Sequence, residues 1–233
     1  MKKLLPVGFM ILTFTGATFA KEPQLEKATN VLIEIMGAPD RGIPRDLLDK
    51  AVCVGIVPSE LKAAFVVGAS YGRGVLVCRR HGDGEWGAPS KFTMGGGSFG
   101  FQIGGESNDL VFLVMDEGGA RKFVADDVKL GADASVTAGP VGRTAEAATD
   151  VQLHAEILSY SRTRGLFAGI SLAGAVVKQD HGENQRLYGR NISAKEILFD
   201  GVEVPPPAVP LDAALTKYSP RGGRAFASLH PAQ

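Results

Sequence analysis

The chain has 233 residues, of which 45% are hydrophobic, 21% charged and 7% aromatic, with 25 basic against 25 acidic side chains, 30 glycines and 2 cysteines. Ordinary charge content and ample aliphatic side chains exclude a disordered or collagen-like chain, and a formal charge of zero excludes a generally basic nucleic-acid binder. One large globular domain is expected.

Met1-Lys2-Lys3 is a short cationic start, Leu4 to Phe19 is apolar or small, and Thr18-Phe19-Ala20 offers small residues where a signal peptidase reads. Residues 1–20 are therefore expected to be a signal peptide cleaved after Ala20. The other reading, a retained anchor, needs roughly 20 apolar residues in a row, and this run is shorter and carries Pro6. No Cys follows the run, so a lipid-anchored lipoprotein is excluded. The expected address is export, either periplasmic or peripheral to the envelope membrane. What remains after cleavage is slightly acidic, so partners are met through local patches and not through a global field.

Residues 24–36 read as a helix, because Leu25, Ala28, Thr29, Leu32, Ile35 and Met36 recur at i, i+3, i+4, i+7 and form one apolar stripe. Gly37, Pro39, Gly42 and Pro44 then break the chain, with a short helical turn over Asp46 to Lys50. From Ala51 to about Arg190 the period changes to two. Strands are expected at Val52–Val57, Ala63–Ser70, Gly74–Arg79, Trp86–Thr93, Ser98–Ile103, Leu110–Met115, Val128–Ala138, Ile157–Arg162, Leu166–Val177 and Arg186–Tyr188. Turns are expected at Tyr71-Gly72-Arg73, Gly82-Asp83-Gly84, Ser107-Asn108-Asp109 and Gly182-Glu183-Asn184. Short helices are expected around Gly119–Ala125, Ala194–Phe199 and Leu211–Lys217. This pattern predicts an α+β fold: an antiparallel, Gly-rich β-sheet curled into a barrel or sandwich, flanked by a few short helices and an N-terminal amphipathic helix. The expected domain runs over 21–204. Pro205-Pro206-Pro207 and Pro210 make a stiff spacer, and 205–233 is expected to be a Pro-rich, flexible tail.

The strands are poor in side chains: Met94 to Gly105 contains six glycines. Glycine inside a strand packs nothing, so its repetition needs a reason. Two remain open: tight curvature with close backbone approach, or room for a ligand chain. Cys53 and Cys78 sit in neighbouring strand-like runs, as a disulfide or as two buried thiols. There is no Cys/His cluster that suggests zinc, and no cofactor is expected.

Gly68-Ala69-Ser70-Tyr71-Gly72 and Gly96-Gly97-Ser98-Phe99-Gly100 both match G-x-S-x-G, the nucleophile elbow of acyl hydrolases, which requires a strand and then a helix. Here more strand follows each match, so a hydrolase using Ser70 or Ser98 is disfavoured. Gly95, Gly97 and Gly100 imitate a dinucleotide fingerprint, again without the following helix. Asp133, among small strand residues, reads as a structural carboxylate bonded to nearby backbone or to an Arg. The basic sets Arg79-Arg80 and Arg121-Lys122 read as solvated. Arg162 and Arg164, alternate residues at a strand end, can share a face and fork a phosphate.

Three stretches carry a resemblance: Lys91-Phe92-Thr93-Met94-Gly95-Gly96-Gly97-Ser98-Phe99-Gly100-Phe101-Gln102-Ile103-Gly104, Leu130 to Gly142 (LGADASVTAGPVG), and Ser159 to Leu172 (SYSRTRGLFAGISL). Together with Leu48 to Pro58, Phe65 to Gly68 and Tyr71 to Val75, they resemble SYLF domains over about residues 25 to 200. The resemblance implies a non-enzymatic domain that binds phospholipid membranes, phosphoinositides in eukaryotes, with an N-terminal amphipathic helix at the membrane and actin-associated roles in some members. The polar face of helix 24–36 departs from that pattern, with one Lys against two Glu, and a periplasmic address would remove phosphoinositides and actin.

The expected function is non-enzymatic binding to an anionic phospholipid or membrane surface of the bacterial envelope. The expected contacts are Leu25, Leu32, Ile35 and Met36 for the apolar part and Lys27, Arg41, Arg45, Arg162 and Arg164 for the headgroups. A stripe packed permanently on the sheet is the alternative for the helix. The alternative for the whole protein is an envelope interaction module whose partner is another protein.

Overall fold

The computed structural model describes residues 22–37, 42–64, 67–82, 84–99, 104–125, 127–141, 155–163 and 166–220. The expected signal peptide, Arg41 and Arg164 lie outside them. Pro23 opens the first helix, α1 (Pro23–Met36), at a position where its missing N–H is not needed. Gly37 closes the helix by donating to the Ile33 carbonyl at 2.8 Å. The predicted stripe is the buried face of α1. It lies on strands β1 (Cys53–Ala64) and β2 (Val67–Cys78) and against the last helix, α6 (Val209–Tyr218).

The remaining strands are β3 (Ser90–Phe99), β4 (Gly104–Val114), β5 (Asp127–Lys129), β6 (Val136–Ala138), β7 (Ile157–Thr163), β8 (Leu166–Gly169) and β9 (Val176–Gln179). The remaining α-helices are α2 (Arg45–Lys50), α3 (Glu117–Lys122), α4 (His181–Tyr188) and α5 (Ala194–Phe199). The strands form one sheet in the order β5-β9-β3-β2-β1-β4-β7-β6, with β8 also on β7, curled strongly into a half-barrel. Among the described residues the pairings are antiparallel except β6 with β7.

Period-two alternation sorts the side chains into two cores. Val54, Ile56, Val75, Val77, Val111 and Leu113 face α1 and α6. Val57, Leu76, Phe92, Leu110, Phe112 and Phe123 fill the other face. Each such aliphatic or aromatic side chain contributes about 1.5–3 kcal/mol on burial. Glycine belongs to this packing: a Cβ on Gly55 would fall 2.0 Å from Cζ of Phe112, its register partner on β4, and one on Gly74 would fall 2.3 Å from Cζ of Phe92. At these two positions the space left by glycine is taken by aromatic rings and not by a ligand.

Several expected boundaries move, each for a physical reason. β1 runs unbroken through Pro58, which cannot donate to a ladder in a central strand. A bulge absorbs it: the register shifts between Ile56 and Leu61 against β2 and between Val57 and Glu60 against β4, and Ser59 takes φ +56°. The Ser59 N–H donates to Asp109 Oδ1 at 3.0 Å.

The expected turns at Tyr71-Gly72-Arg73 and Ser107-Asn108-Asp109 are therefore strand interior. Gly72 is required because a Cβ there would sit 2.4 Å from Val57 Cγ1, and Asp109 is the bulge's acceptor. The expected strand Arg186–Tyr188 is the end of α4, and Gly182-Glu183-Asn184 is its first turn, capped by Asp180, which accepts from Glu183 N at 3.0 Å. Val128–Ala138 splits into β5 and β6 around Gly131 (φ +86°), where Asp133 accepts from Lys129 N at 2.7 Å. Leu166–Val177 splits into β8 and β9, with Gly174 at φ +90°.

The segment expected as a tail from 205 is built into the core as far as Ser219. Pro206–Ala208 is a 3-10 turn leading into α6, with Pro210 in the helix's first turn, and Ala208, Leu211 and Leu215 are buried against α1. Arg79, expected to be solvated, is buried and holds this junction. It donates to the carbonyls of Ala51 (3.2 Å), Gly84 (3.0 Å) and Ser219 (3.1 Å), and its guanidinium lies 3.9 Å from the Trp86 ring centroid. Trp86 donates to the same Ser219 carbonyl at 2.9 Å.

Cys53 and Cys78 are register partners and form a disulfide between β1 and β2. Removing it with Cys53→Ala/Cys78→Ala is expected to lower the unfolding free energy by about 3 kcal/mol in urea titrations. An unchanged midpoint would contradict the bridge. Arg79→Ala, which removes the Arg79 donor from the Ala51 and Gly84 carbonyls and leaves Ser219 O to Trp86 alone, is expected to cost roughly 3 kcal/mol or more. A loss under about 1 kcal/mol would show that the junction does not depend on Arg79.

Candidate functional site

The structure separates the expected contact residues. Leu25, Leu32, Ile35 and Met36 are interior residues of the core between α1, the sheet and α6, which is the arrangement given above as the alternative for the helix. Lys27 and Arg45 are exposed. Arg162 is committed within the fold: it donates to Asp109 Oδ2 from Nε (3.1 Å) and Nη2 (2.7 Å), and it also pairs with the Glu34 carboxylate of α1. Its fork therefore grips carboxylates already present, and it fastens the C-terminal half of α1 to β4 and β7.

At the other end of α1 is a cleft of about 410 Å³, bounded by the helix start, the bulge of β1, β2, β3 and α4. Its deepest charged group is Lys91 on β3, whose side chain is only 1% exposed. Burying an ammonium is costly unless it is paired and hydrogen-bonded. Here Nζ donates to Glu22 Oε2 at 2.6 Å and lies 3.5 Å from Glu183 Oε2. Lys91 is held in place through its backbone: Asn184 of α4 accepts from Lys91 N at 2.7 Å and donates to Lys91 O at 3.1 Å, so α4 takes over the hydrogen bonding that a neighbouring strand would supply. Gln24 donates to Gly74 O at 3.0 Å and pins the helix start to β2.

The mouth of the cleft is apolar and cationic. Leu61 and Tyr71 are register partners across β1 and β2, and they are 62% and 51% exposed. Arg73, two residues along β2 from Tyr71, reaches the Tyr71 hydroxyl at 3.4 Å and Glu183 at 3.5 Å. Lys27 completes the wall, so Lys27, Arg73 and Lys91 face the two carboxylates of Glu22 and Glu183. The site carries an excess of positive charge. Sequence reading found Lys27 and missed the rest, because Tyr71-Gly72-Arg73 reads as a turn. Read as strand, the two-residue spacing puts Tyr71 and Arg73 on one face.

A larger cavity of about 590 Å³ lies at the opposite end of β1, among Val52, His81, Glu117, Arg121, Lys195 and Phe199. Arg121 is paired there with Glu117 at 3.2 Å, in the open. Size favours this cavity, but among the described residues that line it the charged ones are exposed, so the smaller cleft is the stronger candidate.

Ser70 of the first G-x-S-x-G match lies inside β2 opposite Gly96, and Ser98 of the second lies in β3, so neither stands on a strand-to-helix elbow. Among the described residues no group of three or more His, Cys, Asp and Glu could hold a metal, and no helix is long and apolar enough to cross a membrane.

Comparison with known proteins places this geometry in context. Residues 95–218 match the model of the family Ysc84, described as "Las17-binding protein actin regulator". Protein YSC84 of Saccharomyces cerevisiae is 39% identical over 181 residues, covering 76% of this chain and 38% of the relative. LAS seventeen-binding protein 3 of the same species is 36% identical over 197 residues, 82% of this chain and 42% of the relative. The human SH3 domain-containing YSC84-like protein 1 is 34% identical over 211 residues, 86% of this chain and 61% of the relative. The chain thus spans between about two-fifths and three-fifths of these relatives' length. The matched segment runs from the second half of β3 to the end of α6 and takes in Glu183 of the cleft wall, and the chain belongs to the Ysc84 (SYLF) family.

Proposed function

We propose that this protein is a non-enzymatic, exported binding protein that rests on an anionic phospholipid surface through Leu61, Tyr71, Lys27 and Arg73. The observation that carries the reading is the uncovered Leu61–Tyr71 pair beside two cations. Tyrosine suits an interface where one end is apolar and the other wet. Burying two such side chains supplies about 1.5–3 kcal/mol each, and each cation near an anionic leaflet adds about 1 kcal/mol. The sum gives reversible, peripheral binding and no insertion. The buried stripe of α1 is scaffold in this reading, and the amphipathic helix contributes its charged start.

Export is supported by the character of residues 1–20 and by the Cys53–Cys78 disulfide, since such bridges persist in oxidising compartments. A bacterial envelope is one address that fits both. Absence of catalysis fits a family described by binding and regulation.

A second reading is favoured by the family's own description: the same apolar pair could seat a protein partner in the envelope. The family description speaks of Las17 and of actin regulation, and one relative is named a LAS seventeen-binding protein, but this chain spans only a part of such relatives.

Flotation with phosphatidylcholine vesicles, with and without an anionic lipid, separates the readings. Wild type is expected to float with anionic vesicles, and Leu61→Ser/Tyr71→Ser to lose about tenfold or more in affinity. Leu166→Ser, which removes an equally exposed leucine (68%) elsewhere, is expected to change nothing. Flotation of none would contradict a lipid surface as the ligand, and equal flotation of all three would remove Leu61 and Tyr71 as the contact.

A further inference from the structure

The cavity at the end of β1 opposite the cleft keeps apolar side chains open to solvent. Its volume of about 590 Å³ falls within the ~300–1,000 Å³ of small-molecule sites. The floor reaches the second core: Val52 belongs to that core, and Val124 packs against it. Phe199 stands on the wall and is 37% exposed.

The walls come from separate elements that are each held in place. The turn through His81 and Gly82 is closed by its own main chain, with Gly82 N donating to Arg79 O at 3.3 Å and Gly84 N to Arg80 O at 2.9 Å. It rests on α3, since a Cβ on Gly82, at φ +82°, would fall 2.9 Å from Glu117 Oε1. Buried Ile197 and Leu198 anchor α5, and Arg80 Nη2 reaches the Val202 carbonyl beyond that helix at 3.5 Å. The opening is therefore preformed, as ligand sites usually are.

The charges around the opening differ in what they are committed to. Arg121 is paired with Glu117 at 3.2 Å, and Glu196, beside Lys195, is taken by Arg190 at 2.6 Å. Lys195 itself makes no ion pair or hydrogen bond among the described residues. It stands one turn before Phe199, and the i, i+4 spacing puts ammonium and ring on one face of α5. We infer that the cavity binds a monocarboxylate with an aromatic or aliphatic body, the body lying on Val52, Val124 and Phe199 and the carboxylate on Lys195. A phosphate dianion is a poorer fit, because it calls for several cations or free main-chain N–H groups. Here the first turns of α3 and α5 are already capped, by Asp116 accepting from Gly119 N at 2.7 Å and Ser193 accepting from Glu196 N at 3.2 Å. The site lies apart from Leu61 and Tyr71, and neither surface needs the other.

The test is a titration of the purified protein with 3-phenylpropanoate, beside its neutral analogue 3-phenylpropanamide, read by backbone amide shifts. Saturable shifts are expected at Val52, Gly82, Val124 and Phe199, in the millimolar range usual for so small a ligand. The amide is expected to bind about fivefold more weakly, the worth of one exposed ion pair. Lys195→Met keeps an unbranched stem and drops the charge; it is expected to weaken 3-phenylpropanoate by the same factor of about five and to leave the amide unchanged. Phe199→Ala is expected to weaken both probes alike. Lys217→Met, which removes an exposed lysine on α6, is expected to change nothing.

Lys195 is exposed, so its variant folds without repacking, and if Phe199→Ala does not fold, Lys195→Met and the two probes decide alone. No saturable shift with 3-phenylpropanoate, or shifts that saturate elsewhere on the protein, would overturn the inference. Equal affinity for acid and amide in wild type, or tighter binding of phenyl phosphate than of 3-phenylpropanoate, would do the same by removing the carboxylate from recognition. Lys195→Met is expected to float with anionic vesicles as wild type does. A loss of flotation there would assign Lys195 to the lipid surface and overturn the site, whereas failure of wild type itself to float would count against the lipid reading alone.

Discussion

The bulge at Pro58 and Ser59 is the constraint on which the rest of this architecture turns. β1 is the central strand, paired on both sides, and a proline there removes a donor that a flat ladder needs. Inserting one extra residue against both neighbours resolves the problem and bends the strand. The consequence reaches function, because α1 starts beside the bulge and covers only the half of the β1–β2 hairpin that precedes it. Beyond the bulge the hairpin emerges with Leu61 and Tyr71 uncovered. The candidate contact surface is where the sheet outruns its covering helix.

Charge is handled inside the fold in three different ways. Arg79 is satisfied by main-chain carbonyls and a tryptophan face, and it fixes the end of α6. Arg162 is shared between Asp109 and Glu34 and fixes the C-terminal half of α1. Lys91 is paired with carboxylates at the rim of an open cleft. The first two cations belong to the scaffold. The third borders the open cleft at the start of α1.

The fold class was legible because periodicity is a property of the chain itself. The i, i+3, i+4, i+7 stripe located α1 to within a residue, and the alternation of small and apolar residues announced a curled sheet. What misled was residue type without context. Gly72 reads as a turn, but it is glycine because Val57 needs the space above it. Ser107-Asn108-Asp109 reads as a turn, but these are polar partners for the bulge and for β7. Pro205 to Pro210 reads as an extended spacer, but here prolines occupy positions that need no donor, at the start of a helix. The site suffered the same loss. Lys27 was visible on the polar face of a helix, whereas Lys91, Tyr71 and Leu61 meet only through the register of three strands, which no local pattern records.

The central claim is that the protein meets membranes with the hairpin beyond the bulge while the stripe of α1 stays in the core. Paramagnetic broadening of backbone amides by vesicles carrying a spin-labelled lipid tests this most directly. The account predicts broadening concentrated at Ser59 to Leu61 and Tyr71 to Arg73, with Leu32, Ile35 and Met36 unaffected. Broadening centred on Leu32, Ile35 and Met36, with the hairpin spared, would show that the helix leaves the core to bind and would contradict it.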